Sequence, residues 1–232
     1  MTASGQTARS CLVIPALNEA AVIGDVVRRV PAGVVADVVV VDNGSTDDTG
    51  AVASRAGARV VVEARRGYGA ACWAGVEALA PDTTIVAFLD GDGSQFPEEL
   101  PRVLGPVLAG EADLVLGVRQ MRGTHPLHAS LGTRLVAALV AWRFGVRLGD
   151  LGPFRAIRVD LLRRLGMRDR AFGWPVEMVV KTAALGARIV EVDVTHAPRQ
   201  GGRSKVSGTL GGSVRAGYAF LTTAVRAARE VS

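Results

Sequence analysis

Cysteine, histidine and aromatic side chains are scarce in this 232-residue chain, and long apolar runs are missing. Cys11 and Cys72 stand far apart inside apolar segments, a spacing that excludes a metal knuckle. A bridge between them stays open, with buried free thiols in a reducing cytoplasm the expected state. His125, His128 and His196 lack metal-ligand spacing and read as structural or surface residues. The longest charge-free apolar stretch in the middle of the chain, Leu135 to Trp142, is far short of the ~18–20 residues that cross a bilayer. Residues 1–9 are small and polar, without the hydrophobic segment of a signal peptide, so a cytoplasmic location is expected. No lysine-bearing phosphate loop is present, and no G-x-G-x-x-G follows the first apolar run; nucleotidyltransferases and oxidoreductases are disfavoured. Aromatic residues make up 5% and do not interleave with the basic ones, so no nucleic-acid partner is expected.

What is present suits one α/β domain, with 49% hydrophobic residues supplying its core. The net charge of +5 is unevenly placed. Residues 1–118 carry 8 Lys and Arg against 15 Asp and Glu, a balance of −7; residues 119–232 carry 19 against 7, a balance of +12. An anionic partner is therefore expected for the second half, either a lipid surface or a phosphate-bearing substrate.

β-rich runs at Cys11–Ile14, Val38–Val41, Val60–Val62, Ile85–Leu89 and Leu114–Leu116 alternate with helical patterns at Ala20–Val30, Thr49–Ala56, Ala70–Leu79 and Glu98–Leu108. That alternation predicts a mostly parallel sheet with helices on both faces. In the second half, Leu131 to Val146 reads as a helix, Asp150–Arg158 as loop then strand, Pro175–Leu185 as a helix and Ile189–Val194 as a strand. Pro198–Gly208 is a Gly- and Arg-rich loop. A closing helix follows, with a stripe of Leu210, Val214, Tyr218, Leu221 and Val225 flanked by arginines. Such a helix either lies on a membrane surface or packs on the domain.

The most informative feature is Asp90-Gly91-Asp92, directly after the apolar run Thr84–Leu89. Two carboxylates one glycine apart at a strand end offer hard oxygen ligands to Mg²⁺ or Mn²⁺, an ion commonly shared with substrate phosphates. An acidic turn is the plain alternative. Three further patterns accompany it: Pro15-Ala-Leu-Asn18-Glu19 after the first strand, Asp42-Asn-Gly-Ser-Thr-Asp47 after the second, and Gly67-Tyr-Gly69 opening a helix. With Gln95, their order and spacing resemble the nucleotide-binding half of family-2 glycosyltransferases. Asp150-Leu-Gly-Pro-Phe-Arg155, Trp174-Pro-Val-Glu177 and Arg199-Gln-Gly-Gly-Arg-Ser-Lys205 are similar to the dolichyl- and polyprenyl-phosphate mannosyl- and glucosyltransferase branch.

The resemblance implies a GT-A fold: a Rossmann-like, mostly parallel sheet with helices on both faces. It implies a flexible N-terminus (1–9), a catalytic domain (10–206, with nucleotide-binding and acceptor halves meeting at 118/119) and an amphipathic helix (207–232). It further implies inverting, metal-dependent hexosyl transfer from a UDP- or GDP-sugar to a polyprenyl phosphate, at a membrane reached peripherally. Asp92 is then the direct ligand of Mg²⁺ or Mn²⁺ and Asp90 a second contact to metal or ribose. Pro15, Asn18, Glu19 and Asp42 shape the nucleoside pocket, although Glu19 also suits a first-turn acid and Asp42 a turn. Gly67 and Gly69 let a backbone approach the donor, and Gln95 orients sugar or acceptor. Arg119, Arg134, Arg199 and Lys205 gather the acceptor phosphate, with Asp150 and Arg155 pairing in the wall beside them. Glu177 is the general base if the acceptor is an alcohol, and a positioning group if it is a phosphate. A soluble hydroxyl acceptor and a non-catalytic nucleotide-sugar binder remain the alternatives. The sugar, the base and the oligomeric state are not legible.

Overall fold

Apolar runs such as Cys11–Ile14, Val38–Val41 and Ile85–Leu89 fill the middle of the first strands, which suits parallel strands covered on both faces. The computed structural model describes residues 8–121 and 127–200 together with 222, 223, 226 and 227; for residues 121 and 127–135 it describes the backbone course. The N-terminus, Lys205 and nearly all of the closing helix lie outside the described residues.

β1 (Arg9–Ala16), α1 (Ile23–Arg28), β2 (Asp37–Asp42), α2 (Thr49–Arg55), β3 (Arg59–Val62) and α3 (Tyr68–Glu77) are the first strand–helix units. β4 (Thr83–Phe88), a 3₁₀ turn at Pro97–Glu99, α4 (Leu100–Leu108) and β5 (Leu114–Met121) continue the alternation. α5 (Leu127–Phe144), β6 (Arg155–Arg158), α6 (Val159–Arg164), α7 (Trp174–Ala184) and β7 (Ile189–His196) follow. The strands form one seven-stranded sheet in the order β3-β2-β1-β4-β6-β5-β7. β6 runs antiparallel to β4 and β5, while the other pairings are parallel.

Side-chain alternation along each strand divides the core into two layers. Cys11, Val13, Val39 and Val41 pack with Ala71, Val140, Met178 and Val179 on one face. Leu12, Ile14 and Val40 pack with Ile23, Val26, Val103 and Leu104 on the other. Each such aliphatic side chain contributes about 1.5–3 kcal/mol by leaving water. Cys11 and Cys72 are buried free thiols, and burial pushes the Cys11 thiol up to about 12.

From β1 the chain winds outward through β2 to β3, then returns to the opposite side of β1 as β4. The crevice of an open α/β sheet lies where strand order reverses, outside the carboxyl ends. Here that point falls between β1 and β4, at Asn18-Glu19 and Asp90-Gly91-Asp92. α1 starts three residues later than its pattern suggests and is preceded by a turn in which the Glu19 carbonyl accepts Val22 N–H and Ile23 N–H (3.0 and 2.9 Å). α6 was not legible in the pattern at all. The terminal segment touches the domain through buried Thr223 and Ala227; Thr223 Oγ1 donates to Asp169 Oδ2 (3.1 Å).

One carboxylate ties three strands at the sheet's other end. Asp113 accepts Arg188 N–H (2.9 Å), Arg188 Nε (3.1 Å) and Arg158 Nη1 (3.2 Å), joining the starts of β5 and β7 to the end of β6. The Arg188 hydrogen bond holds this carboxyl down to about 2. A lowered folded value means the stabilisation is complete above the unfolded value of about 4 and disappears as pH falls through 2. Asp113→Asn should therefore lower the unfolding temperature at pH 7 by about 2–4 °C. Thermal melts of the two proteins should converge between pH 4 and pH 2.

Candidate active site

The acidic turn after β4 is folded back on itself. Asp92 Oδ1 accepts Ser94 N–H (2.9 Å), and Gln95 Oε1 accepts Asp90 N–H (3.2 Å). Gly93 occupies a left-handed φ of 73°, which a side chain would strain. Asp90 is half-buried as a residue, yet its Oδ1 is enclosed and has no hydrogen-bond partner. The Tyr68 hydroxyl hydrogen-bonds this carboxylate. Burial raises the Asp90 carboxyl to about 7, with the charge of Asp92 adding to the shift. Asp92 is buried, and its Oδ2 lies 2.8 Å from Arg199 Nη2. Arg199 Nη1 reaches the buried Glu19 at Oε1 (3.0 Å).

This donor set fits a divalent cation. An enclosed carboxylate oxygen without a partner stands beside a second carboxylate that already holds a positive group, and two adjacent acids ionise together only when a cation offsets them. Among the described residues, no group of three or more His, Cys, Asp and Glu converges. The remaining coordination positions would fall to phosphate oxygens and water, as is usual for Mg²⁺.

The neighbouring loops are cross-braced. Asn18, with φ 55°, donates its N–H to Ser45 Oγ (2.9 Å) and accepts Thr46 N–H at Oδ1 (2.7 Å). Asp42 Oδ1 accepts Ser45 N–H (2.8 Å). Pro15 sits opposite Val41 in the β1–β2 ladder, beyond the last β1–β4 pair, Val13 with Phe88. Asn43 donates to the carbonyls of Glu63 (3.0 Å) and Arg65 (2.7 Å) and accepts Gly67 N–H (2.8 Å). An aspartate could not make the two donations.

The close approach at Gly67 and Gly69 is present, but the approaching backbone is the chain's own. A Cβ would stand 2.1 Å from Arg170 O at Gly67 and 2.5 Å from Asp169 O at Gly69. Gly69 N–H donates to Ala171 O (3.0 Å) and Ala70 N–H to Arg170 O (2.9 Å), so the 168–171 loop supplies acceptors to the first turn of α3.

Three expectations on the acceptor side are corrected. Asp150 pairs with Arg119, not Arg155: Arg119 Nε and Nη2 reach its two oxygens at 2.6 and 2.8 Å. Arg155 is only 1% exposed and donates to the carbonyls of Pro175 (3.0 Å), Leu151 (3.1 Å) and Gly152, so it is a core residue and not an acceptor contact. Glu177 is 0% exposed and accepts Arg168 N–H (3.0 Å), Asp169 N–H (2.7 Å) and Lys181 Nζ (2.8 Å). It holds the 168–171 loop and cannot reach an acceptor proton. The side chain of Arg134 and all of Lys205 lie outside the described residues. The structure thus gathers Glu19, Asp90, Asp92, Gln95 and Arg199, sets Asn18 and Asp42 in the adjoining loops, and brings Arg119 near enough for the Asp90 charge to act on it. Tyr68 and Asn43 were missed as positioning residues, although the aromatic in Gly67-Tyr-Gly69 was a signal.

Removing one partner of a buried ion pair typically costs about 3–5 kcal/mol. Glu177→Gln should accordingly lower the melting temperature by roughly 6–12 °C or more. An unchanged melt with abolished turnover would restore the general-base role.

Residues 11–166 match the family model described as glycosyl transferase family 2. An uncharacterized glycosyltransferase of Mycobacterium tuberculosis is 46% identical over 88% of this chain and 92% of its own length. An undecaprenyl-phosphate mannosyltransferase of Micrococcus luteus is 33% identical over 88% and 90%. Among solved structures, glucosyl-3-phosphoglycerate synthase of M. tuberculosis, in complex with Mn²⁺, UDP-glucose and phosphoglyceric acid, aligns with a TM-score of 0.78 at 27% identity, covering 96% of this chain and 80% of that one. The fold is GT-A, and the chain belongs to glycosyl transferase family 2.

Proposed function

We propose that this glycosyltransferase moves a hexosyl group, with inversion, from a nucleoside-diphosphate sugar to a polyprenyl phosphate. The observation that carries the donor half is the unpartnered, enclosed Asp90 Oδ1 beside Asp92 at the crevice between β1 and β4. Asp90 and Asp92 would hold Mg²⁺ or Mn²⁺, and the bound ion supplies positive charge against the departing diphosphate. The loops carrying Pro15, Asn18, Glu19 and Asp42 enclose the nucleoside, while Tyr68 and Gln95 keep Asp90 in place.

The acceptor half is supported by two observations. The Micrococcus relative is named for an undecaprenyl phosphate acceptor and aligns over most of both chains. Glu177, the carboxylate expected to deprotonate an alcohol, is used by the chain itself. A phosphate nucleophile is already ionised and needs cations more than a base. Arg119, held in orientation by Asp150, begins that set, and Arg134 and Lys205 complete it. Among the described residues no helix is long and apolar enough to cross a membrane. Trp142, 82% exposed on α5 beside exposed Arg143, suits a peripheral seat on an anionic lipid surface. The second reading, a soluble acceptor, draws on the synthase neighbour with phosphoglyceric acid.

Transfer assays with radiolabelled UDP-glucose and GDP-mannose, offered undecaprenyl phosphate or 3-phosphoglycerate, separate the two. Label should partition into the organic phase with undecaprenyl phosphate. Label found only in aqueous product overturns the lipid acceptor. Asp92→Asn should reduce turnover by about 10²–10³-fold while the protein remains folded.

A further inference from the structure

The resemblance places Arg199 with the acceptor, but the fold lays its guanidinium across two donor-side acids. Nη2 stands 2.8 Å from Asp92 Oδ2 and Nη1 3.0 Å from Glu19 Oε1. The side chain is 30% exposed, whereas both carboxylates are buried. The segment carrying it is fastened to the acidic turn. Ala197 N–H donates to Ser94 O (2.9 Å), Gln200 N–H donates to Asp92 O (3.1 Å), and Gln95 and His196 form an antiparallel bridge. Gln200 also fills the space over Gly93, where a Cβ would lie 3.3 Å from its side chain.

A divalent ion bound to Asp92 Oδ2 at about 2.1 Å would stand no more than about 5 Å from Arg199 Nη2, given the present contact. Like charges at that range in a partly buried site repel strongly. We propose that Arg199 is a built-in occupant of the cation position: in the empty enzyme it neutralises Asp92 and Glu19, and it must swing away before a divalent ion takes Asp92. The inference rests on the reading of Asp90 and Asp92 as cation ligands. A bare ion bears the whole displacement. An ion arriving with a nucleoside diphosphate does not, because the phosphates offer the released guanidinium a bidentate partner. Arg199 thereby couples ion and nucleotide, so that the site loads with both together.

Mn²⁺ titration followed by the electron paramagnetic resonance of free Mn²⁺ tests this on the full chain and on Arg199→Gln, with and without UDP or GDP. A site blocked nine-tenths of the time binds tenfold more weakly than an open one. Arg199→Gln should therefore bind Mn²⁺ alone about tenfold more tightly than the wild type. Nucleotide should tighten Mn²⁺ binding by a smaller factor in the variant than in the wild type, since coupling is reciprocal. Equal or weaker binding of Mn²⁺ alone by Arg199→Gln, with a wild-type Mn²⁺ signal that Asp92→Asn abolishes, overturns the inference and leaves the donor site standing. Failure of the wild type and Arg199→Gln to bind Mn²⁺ even with either nucleotide overturns both. If Arg199→Gln does not show a cooperative melt, Arg199→Met gives the same test. It also removes the charge, so tighter binding of Mn²⁺ alone is expected and equal or weaker binding is contradictory.

Discussion

Three carboxylates, those of Glu19, Asp90 and Asp92, are crowded where β1 and β4 end, and the structure around them is organised by their need for positive charge. Water is largely excluded there, so the acids repel one another more than they would at a surface. The chain meets the problem in two ways. Arg199 bridges Glu19 and Asp92 from a segment hydrogen-bonded to the acidic turn. Asp90 is instead supported by the Tyr68 hydroxyl and has its carboxyl raised to about 7. Neither device gives Asp90 Oδ1 a partner. On the proposed function, this arrangement would hold the acids ready for an ion and for the anionic donor that the ion accompanies.

The second layer of support runs through the interior. Glu177 accepts the backbone N–H groups of Arg168 and Asp169, and that loop gives its carbonyls to the first turn of α3. Gly67, just before α3, donates to Asn43, which follows β2. Helix α7, the 168–171 loop, α3 and the end of β2 are thus one connected set of hydrogen bonds. The buried terminal residue Thr223 joins it at Asp169. Charges buried for this purpose are structural, and Arg155 under the same sheet end belongs with them.

The parallel half of the sheet was legible because β1, β2 and β4 are apolar runs of strand length with helix signals between them. The acidic turn was legible from Asp90-Gly-Asp92 and its place after a strand. β6 and α6 were harder: a four-residue strand does not encode its partner or its direction, which depend on β4 and β5 closing around it. Arg155 and Glu177 were misassigned for a different reason. A charged residue reads as exposed until its partners are known, and theirs are mainly backbone groups of neighbouring loops, which no side-chain pattern announces. Arg199 was visible as a cation in a basic loop, but only β7 pairing with β5 carries that loop back over Asp92. Asn43 gave no signal of its part, which lies in amide donors that an acid lacks.

The central claim is that Asp90 and Asp92 grip a divalent ion together with the diphosphate of a nucleotide sugar. Crystals of this protein soaked with Mn²⁺ and UDP-glucose or GDP-mannose, measured for anomalous scattering at the manganese edge, address it directly. One strong peak is expected between the two carboxylates, at about 2.1 Å from their oxygens, with phosphate oxygens on its other side and Arg199 turned away from Asp92. Nucleotide bound elsewhere, or manganese seated away from the ends of β1 and β4, would contradict it.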